Sequence, residues 1–343
     1  MRITQEAFGV TRDGHKITRF WLTDGLYRVG ILTLGGIIQS MVVPDRNGAP
    51  VDIVLGFDRV QDYENQTCYI GALLGRCANR IAGGEITIGG ERIHLMCNDN
   101  GVCHLHGGVS GFDRKIWKAD ITEEGLTLSC FSADGEEGYP GNLSVSVTYL
   151  LEDGALSLKY HAQSDRETIC NLSNHAYFNL AGHDGGNIGR HLIQVHARQY
   201  TPLGENGAPD GRIAPVTGTP FDLNRMTAFR EHWDDDFLQI RQAKGYDHNY
   251  LIDGTGMRPF ARVLCEQTGI SLFVESDMPG MQLYTGNYLE NLPMGKGQAR
   301  YDVRTGFCLE TQYPPNAVNC AEFEKPLLRA GETYSHTTIY KFI

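Results

Sequence analysis

A long alternation of apolar and polar residues, broken by turn signals, limits most strongly what this chain can fold into. It is clearest in LSVSVTYLLEDGALSLKY, residues 143–160, where Asp153-Gly154 separates two alternating runs. Successive side chains of a strand point to opposite faces, and Asp-Gly is a strong two-residue hairpin signal. The same pattern predicts hairpins in EITIGGERIHL and ARVLCEQTGISLFVESD and a last strand in YSHTTIYKFI. The chain is therefore expected to form antiparallel β-sheet.

Helical signals are weak, and no boundary divides the chain. Only MTAFREHWDDDFLQIRQ, residues 226–242, places apolar residues roughly on one helical face, and its run of three aspartates is expected to be solvated. The proline-rich segment 200–224 is expected to be an ordered surface loop, because strand patterns continue on both sides. A content of 41 glycines and 13 prolines suits many short strands and turns. We predict an all-β fold, one large antiparallel β-sandwich domain spanning residues 1–343.

Charge and cysteine usage limit the partners and the compartment. The chain has 30 lysines and arginines against 41 aspartates and glutamates, a net charge of −11, which disfavours nucleic acid and anionic membranes as partners. The start, MRITQEAFGV, has no apolar signal region, and VGILTLGGII is too short to span a bilayer. Nine cysteines without a C-x-x-C pair predict reduced thiols and a cytoplasmic location. Whether the protein is a monomer or a homodimer is left open.

Sequence motifs for cofactors and metals are missing. Neither G-x-G-x-x-G, G-x-x-x-x-G-K-[ST], H-E-x-x-H nor G-x-S-x-G occurs. One metal-like cluster, CNDNGVCHLH at residues 97–106, contains Cys97, Cys103, His104 and His106. Strand alternation would place the two histidines on one face and Cys103 on the other, which does not suit a single ion. We predict no metal and no cofactor, so side chains alone are expected to carry any chemistry.

Residues 171–180, NLSNHAYFNL, carry a histidine within an alternating pattern. The polar and aromatic set consists of Asn171, Ser173, His175, Tyr177 and Asn179. The residues between them are apolar, so the segment is expected to be a strand with one face on the core. The other face has no lysine, arginine or acid, unlike most solvated faces. It is a candidate for chemistry, although a lone histidine in an apolar strand is more often a satisfied core residue.

Other segments also place polar groups within otherwise apolar, strand-like sequence. They are GRCANRIAGG with Asn79 and Arg80, HLHGG with His104 and His106, GYDHNYLI with Asp247, PGMQLYTGN with Gln282, and GFCLETQYPP with Glu310. Each has an ordinary explanation by itself, as a surface charge, a turn or a core hydrogen bond. Glu310 is aligned with Cys308 and Gln312 and precedes two prolines, so it is expected to be held rigidly at a strand end.

In order and spacing, these motifs resemble those of aldose 1-epimerases, the galactose mutarotases. NRI, HLHGG, SNHAYFNL, YDHNY, PGMQLYTGN and LETQYPPNAVN carry the resemblance, which runs from about residue 10 to the C-terminus. SNHAYFNL and LETQ are the most specific of them. The resemblance implies a large β-sandwich of the galactose mutarotase type (a supersandwich) with a carbohydrate cleft and no cofactor. It also implies interconversion of the α and β anomers of a free aldose such as galactose or glucose.

The resemblance also assigns roles to residues by motif. His175 would be the general acid and Glu310 the general base. The residues that would bind sugar hydroxyls are Asn79, Arg80, His106, Asp247 and Gln282. From side-chain chemistry, and not from the motifs, the aromatic residues that could stack on an apolar sugar face are Tyr177, Tyr284 and Phe307. At neutral pH we expect Glu310 to be ionised and His175 to be partly protonated, with the carboxylate of Asp247 raising the pKa of His175.

Two departures and three alternatives accompany this interpretation. Asn316 stands where the family commonly has an acidic residue, and Arg114 stands where lysine is commoner; these departures bear on loop contacts and not on the proposed acid or base. The alternatives are a hexose-6-phosphate mutarotase, a glycoside hydrolase with Asp247 and Glu310 as its carboxylates, and a non-catalytic sugar-binding protein. These segments contain only two basic residues, Arg76 and Arg80, which favours a free sugar over a phosphorylated one.

Overall fold

A computed structural model describes residues 1–343 as a protein built almost entirely of β-strands. The first ten are β1 (Arg2–Val10), β2 (Lys16–Asp24), β3 (Tyr27–Leu32), β4 (Ile38–Pro44), β5 (Pro50–Asp52), β6 (Leu73–Leu74), β7 (Arg80–Ala82), β8 (Glu85–Ile88), β9 (Glu91–His94) and β10 (Cys103–Leu105). The next ten are β11 (Lys118–Thr122), β12 (Gly125–Ser132), β13 (Leu143–Glu152), β14 (Ala155–Ser164), β15 (Thr168–Ile169), β16 (Ser173–Asn174), β17 (Leu192–Val195), β18 (Gln199–Thr201), β19 (Ala214–Pro215) and β20 (Thr227–Ala228). The last are β21 (Asp247–Leu251), β22 (Arg258–Leu264), β23 (Ser271–Ser276), β24 (Gly280–Tyr284), β25 (Cys308–Gln312), β26 (Leu327–Leu328) and β27 (Thr333–Phe342).

Nine strands form the largest sheet, in the order β11-β12-β13-β14-β27-β23-β22-β17-β20, and every neighbouring pair is antiparallel. Strands β13 and β14 pair up to Glu152 and Ala155, so Asp153 and Gly154 form the predicted two-residue turn. Both have positive φ, 49° and 73°, as a type I′ turn requires. The other predicted hairpins, β8–β9 and β22–β23, and the last strand, β27, are also confirmed.

Two five-stranded sheets complete the sandwich, β1-β2-β3-β4-β5 and β19-β18-β21-β24-β25. A hydrophobic cluster of 58 buried residues takes side chains from all three large sheets, for example Ile31 of β3, Val147 of β13 and Leu283 of β24. Apolar residues at alternate positions of facing sheets form the core of a β-sandwich. The predicted all-β sandwich fold is confirmed.

Helices are few and short. α1 (Val60–Asn65) and α2 (Leu238–Ala243) have six residues each, and none in the chain has the length and apolarity needed to cross a membrane. Short 3₁₀ turns occur at Glu136–Gly138, Ile188–Arg190, Phe229–Glu231, Lys296–Gln298 and Ala317–Asn319. The helix suggested for residues 226–242 forms only at its end, as α2. Before α2, Asp234 pairs with Arg304 at 2.7 Å, which ties this part of the segment to a distant loop.

Residues 171–180 do not form the continuous strand that their alternation predicts. Only β16 is a strand, paired with β6, and all ten residues are buried. Asparagine side chains supply the missing hydrogen bonds: Asn171 donates to the carbonyl of Tyr313, and Asn179 donates to that of Thr305. Both sets of alternating side chains therefore lie inside the protein, His175 among them.

Candidate active site

Strands β21, β24 and β25 bring three distant segments together in one polar surface. Across these strands, Asn249, Gln282 and Glu310 form one row in register. Asp247, Tyr284 and Cys308 form a second row, two residues along. Residues paired across antiparallel strands point to the same face of a sheet. Sequence alternation predicts the same faces, with Asp247 beside Asn249, Gln282 beside Tyr284 and Glu310 beside Cys308, and the register confirms them.

A cavity of about 400 Å³ opens over this surface. Its lining consists of Thr67, Cys68, Tyr69, Asn79, Arg80, Asp99, Asn100, Leu105, His106, His175, Tyr177, Leu203, Asn206, Gly207, Gln242, Ala243, Asp247, Tyr284, Tyr288 and Glu310. Eight of the ten residues singled out from the sequence are among them. The other two, Gln282 and Phe307, do not line the cavity.

His175 and Glu310 lie side by side in the cavity wall. Nε2 of His175 is 3.6 Å from Oε1 of Glu310, and the two residues are 5% and 2% exposed. On its other side, Nδ1 of His175 is 3.3 Å from Sγ of Cys308, which precedes Glu310 by two positions on β25. Oε2 of Glu310 has no partner within the protein. A buried oxygen of this kind normally has a hydrogen-bond partner, so it is available to a bound ligand.

Burial opposes the charged form of both groups. It lowers the pKa of His175 to about 4 and raises the pKa of Glu310 well above its ordinary value. The charge of Asp247 adds to the rise at Glu310, and that of Arg80 opposes it. The expectation that Asp247 raises the pKa of His175 is therefore wrong. The expectation that Glu310 has an ordinary, low pKa is also wrong, because the sequence did not show how completely the carboxyl is desolvated.

Arg80 lies between two carboxylates. Its Nε donates to Oδ2 of Asp99 at 2.7 Å, and its Nη1 is 3.7 Å from Oδ2 of Asp247. Gln282 donates its amide to Oδ1 of Asp247 at 2.7 Å, while its own Oε1 has no partner. Gln282 thus contacts Asp247 from the sheet side and fixes its carboxylate.

His106 is a hydrogen-bond donor toward the cavity. Its Nδ1 accepts from the backbone N–H of Asn79 at 3.1 Å, and burial lowers its pKa well below the ordinary value. A neutral imidazole that accepts at Nδ1 carries its hydrogen on Nε2. Ligand atoms of His106, His175 and Glu310 lie within 4.8 Å of one another, a spacing that could suit a metal ion. Because Nδ1 of His106 is occupied and Nε2 is protonated, these residues fit a metal poorly.

Aromatic rings enclose the two histidines. The ring of Tyr177 stacks on His175 with centroids 4.9 Å apart, and Tyr284 meets the same imidazole edge-on at 6.1 Å. Tyr69 lies 4.5 Å from the ring of His106 and has a positive φ of 55°, which a residue of this size adopts only under constraint. These rings restrict both imidazoles to one orientation.

Phe307 lies in the core, contrary to the expectation that it could stack on a sugar. It is fully buried, with ring centroids 5.8 Å from Phe178 and 5.2 Å from Phe229. It precedes Cys308 by one residue, so its side chain points to the opposite face from Cys308 and Glu310.

The histidines of segment 97–106 do not share a face, contrary to the strand alternation. His104 is fully buried, with Nδ1 2.8 Å from the carbonyl of Met96 and Nε2 2.7 Å from the hydroxyl of Tyr139. β10 ends at Leu105, and the positive φ of His106, 53°, turns its side chain toward the cavity. Because both ring nitrogens of His104 are occupied, the metal cluster considered from the sequence does not form.

The two departures from the family pattern lie outside the cavity. Arg114 donates to three backbone carbonyls between residues 63 and 66, so it holds the segment that leads to Tyr69. Asn316 donates to the carbonyl of Pro209 and accepts from the backbone N–H of Ala82. Both residues form hydrogen bonds to the backbone of neighbouring segments.

Twelve residues of the cavity lining were not among the candidates from the sequence, and three of these, Tyr69, Asp99 and Tyr288, have aromatic or charged side chains. Tyr69 and Tyr288 have no periodic or motif signal. Asp99 precedes Asn100-Gly101, and Asn-Gly is a strong signal for a two-residue turn. That signal would have indicated a hairpin that returns to β10, with Asp99 at its end.

This arrangement suits acid–base chemistry on a small molecule that carries several hydroxyl groups. The imidazole and the carboxyl can exchange protons with a ligand, and Arg80, Asp247 and His106 offer donors and acceptors. The fold and the site together thus define a carbohydrate-type acid–base site on a β-sandwich.

Comparison with known proteins identifies the family. The model of the family described as aldose 1-epimerase matches residues 19–341. The chain is 43% identical to galactose mutarotase of Homo sapiens over 99% of its length and 98% of that protein, and 34% identical to aldose 1-epimerase of Escherichia coli K12 over 92% of each. Galactose 1-epimerase of Lactobacillus acidophilus superposes with a TM-score of 0.86 at 27% identity, over 100% of this chain and 98% of that one. The chain belongs to the aldose 1-epimerase family, which confirms the resemblance of its motifs.

Proposed function

We propose that the protein interconverts the α and β anomers of a free aldose such as galactose or glucose, with His175 as general acid and Glu310 as general base. The observation that carries the proposal is the buried pair of these two groups, 3.6 Å apart, in a cavity lined by hydrogen-bonding and aromatic groups. The relatives named galactose mutarotase and aldose 1-epimerase support it.

The reaction is a pair of coupled proton transfers. Glu310 takes the proton of the anomeric hydroxyl while Nε2 of His175 delivers a proton to the ring oxygen. The bond between C1 and the ring oxygen breaks, and C1 and its exocyclic oxygen become an aldehyde. After rotation about the C1–C2 bond, the two transfers run in reverse and close the ring on the other face. Each positioned group contributes roughly 10²–10⁴-fold to such a rate.

Burial of the pair favours the open-chain intermediate. With the cyclic sugar bound, the pair must hold an imidazolium and a carboxylate, which burial disfavours. After ring opening, the pair consists of a neutral imidazole and a carboxylic acid, the uncharged form to which the pKa directions of His175 and Glu310 point. The same desolvation therefore lowers the free energy of the open-chain form relative to the cyclic form. Ring opening is the step of the reaction that is uphill in free energy.

The surrounding polar groups are proposed to orient the sugar. Arg80 and His106 donate hydrogen bonds, and Asp247 accepts them. Asn79 and Gln282 support these residues: the backbone of Asn79 fixes the tautomer of His106, and the amide of Gln282 fixes Asp247. Tyr177 and Tyr284 provide apolar ring surface for a sugar face.

A free sugar fits this cavity better than a phosphorylated one. Arg76, the second basic residue of these segments, is buried and donates to Ser132, to the carbonyl of Ala133 and to that of Pro140. Arg80 is therefore the only arginine or lysine of the cavity lining, and two carboxylates already face it. Phosphate recognition normally uses several convergent cations.

Domain organisation, location and partners are proposed from the composition of the chain and the packing of its core. A single domain is supported by the cluster of 58 buried residues that joins all three large sheets. A cytoplasmic site of action is supported by nine cysteines, all unpaired. The net charge of −11 supports a small-molecule substrate without nucleic acid or membrane partners.

Polarimetry of freshly dissolved α-galactose and α-glucose tests the proposal. The protein is expected to accelerate the approach to the anomeric equilibrium well beyond the rate in buffer. Nitrophenyl galactosides have no free anomeric hydroxyl for Glu310 to deprotonate, so no nitrophenol should be released. Release of nitrophenol would indicate a hydrolase instead. Binding of galactose in calorimetry without any acceleration would indicate a sugar-binding protein.

A further inference from the structure

Asp99 is the one carboxylate of the cavity lining to which neither proton transfer nor hydroxyl binding has been assigned. Its Oδ2 accepts from Nε of Arg80 at 2.7 Å, and its Oδ1 accepts from the amide of Asn100 at 2.9 Å. The side chains of Asp99 and Arg80 are only 19% and 22% exposed. Both carboxylate oxygens are therefore engaged, and the pair is largely shielded from bulk water.

The backbone holds Asp99 rigidly at this place. Val102 donates to the carbonyl of Asp99 at 2.9 Å around Asn100 and Gly101, which have positive φ of 51° and 71°. Both values are those of a type I′ turn, for which Asn-Gly is the preferred sequence. Asp99 also pairs backbone to backbone with Cys103, the first residue of β10.

Arg80 lies on the strand that pairs with β10. β10 pairs with β7 in register, with Leu105 opposite Arg80 and Cys103 opposite Ala82. The hairpin that positions Asp99 is therefore continuous with the strand pair that positions Arg80. The backbone of these paired strands therefore places the side chains of Asp99 and Arg80 next to each other.

The charges of the cavity lining are unbalanced. Arg80 is its only arginine or lysine, whereas Asp99, Asp247 and Glu310 are carboxyl groups. Asp99 and Asp247 contact Arg80 from two sides, at 2.7 and 3.7 Å. A ligand that carries a negative charge meets a cation that is already neutralised and at least one carboxylate in excess.

We propose that Asp99 determines specificity by neutralising Arg80, so that the cavity admits uncharged aldoses and rejects aldoses that carry a carboxylate or a phosphate. The inference rests on the proposed anomerase function of the same site. Asp99 leaves the Nη atoms of Arg80 directed at Asp247 and the sugar, while its charge removes the attraction that a free guanidinium would exert on an anion.

The test compares galactose with galacturonate, which has the same ring stereochemistry but a carboxylate at C6. The substitution Asp99→Asn keeps an oxygen that can accept from Nε of Arg80 and removes the charge. The ratio of kcat/KM for galacturonate to kcat/KM for galactose, measured by polarimetry, is expected to rise roughly tenfold, the scale of one unit charge at this range in a partly buried site.

Two further variants separate the effect of the Asp99 charge from the effect of its hydrogen bond to Arg80. Asp99→Ala also removes the hydrogen bond to Arg80, so it should raise the KM for galactose more than Asp99→Asn while increasing the same ratio. Asp253→Asn removes a surface carboxylate that contacts Nε of Arg198, also at 2.7 Å, and should leave the ratio unchanged. It controls for the change in net charge.

The outcomes separate this inference from the proposed function. If the unmodified protein does not accelerate the mutarotation of galactose, the proposed function fails. If it does, but neither Asp99 variant increases the galacturonate ratio beyond that of Asp253→Asn, Asp99 is only a structural anchor and the inference is overturned.

Discussion

Nε2 of His175 lies 3.6 Å from Oε1 of Glu310, and burial moves the pKa values of these two groups in opposite directions. The pair therefore holds one proton over a wide range of pH. That proton can reside on the carboxyl or on the imidazole, and these two forms are the ones that ring opening interconverts. Adding a second proton to the pair or removing its last one stops the reaction. The two pKa values that describe these steps belong to the pair and not to either residue alone.

The first prediction concerns the pH dependence of kcat/KM for galactose. Because the pKa of His175 is lowered to about 4, the second proton binds only as the pH falls through that value, which sets the acidic limb. The basic limb belongs to loss of the proton from Glu310, whose pKa is raised. This order is the reverse of what ordinary side-chain pKa values suggest. An acidic limb centred near ~6.5, the ordinary value for a histidine, would contradict the lowered pKa of His175.

The second prediction concerns Asp247→Asn. The charge of Asp247 raises the pKa of Glu310, so its removal should move the basic limb to lower pH and leave the acidic limb in place. KM for galactose should also rise, because Asp247 is proposed to bind a hydroxyl. Asp253→Asn serves as the control of equal charge change. A basic limb that moves equally in both variants would show that Asp247 does not act on Glu310.

The third prediction separates turnover from binding. Glu310→Gln keeps the shape of the side chain but removes the proton acceptor, so kcat should fall by roughly 10²–10⁴-fold. Binding of galactose, measured by calorimetry, should change far less. His175→Asn should lower kcat on the same scale with a larger loss of binding, because its ring also packs on Tyr177. Near-normal kcat in either variant would refute the acid–base assignment.

The sequence indicated the faces of the site strands but not the environment of the site. Alternation places Asp247, Gln282 and Glu310 on their correct faces, because strand geometry is local. It failed for residues 171–180, where asparagine side chains replace the strand ladder and both faces are buried. It also failed at His106, since a positive φ at a non-glycine residue has no periodic signal. The reversed pKa order depends on desolvation by segments far apart in the chain.

The fourth prediction concerns metals. His106, His175 and Glu310 have the right residue types for an ion, but the N–H of Asn79 occupies Nδ1 of His106 and leaves the hydrogen on Nε2. Dialysis against EDTA should therefore leave kcat for galactose unchanged. Loss of activity that zinc restores would show that His106 adopts the other tautomer and binds metal. The variant His106→Gln, which keeps an N–H donor, should in that case lose the zinc response.

The last prediction concerns stability and the loop that follows Tyr284 and Tyr288. Nζ of Lys296, 8% exposed, contacts Oδ2 of Asp52 at 2.6 Å and donates to the carbonyl of Gln39 at 3.0 Å, which fastens this loop to β4 and β5. Lys296→Met leaves Asp52 without its cation and should lower the free energy of unfolding by about 3 kcal/mol, as for other broken buried pairs. Glu332→Gln, in the exposed pair with Arg329, is the control and should change it by less than ~1 kcal/mol.

The pH dependence of the stability of Lys296→Met tests whether the ion pair with Asp52 is the cause of the loss. The pKa of Asp52 is lowered by the charge of Lys296 and by hydrogen bonds, which together outweigh its burial. The stability from this carboxylate is therefore present above its unfolded pKa of ~3.9 and is lost as the pH falls through the lower, folded value. Lys296→Met raises the folded pKa, so urea unfolding from pH 7 down to pH 3 should show a gap between variant and parent that narrows with acid. A gap that is constant with pH would show that packing of the lysine stem, and not the ion pair, stabilises the loop.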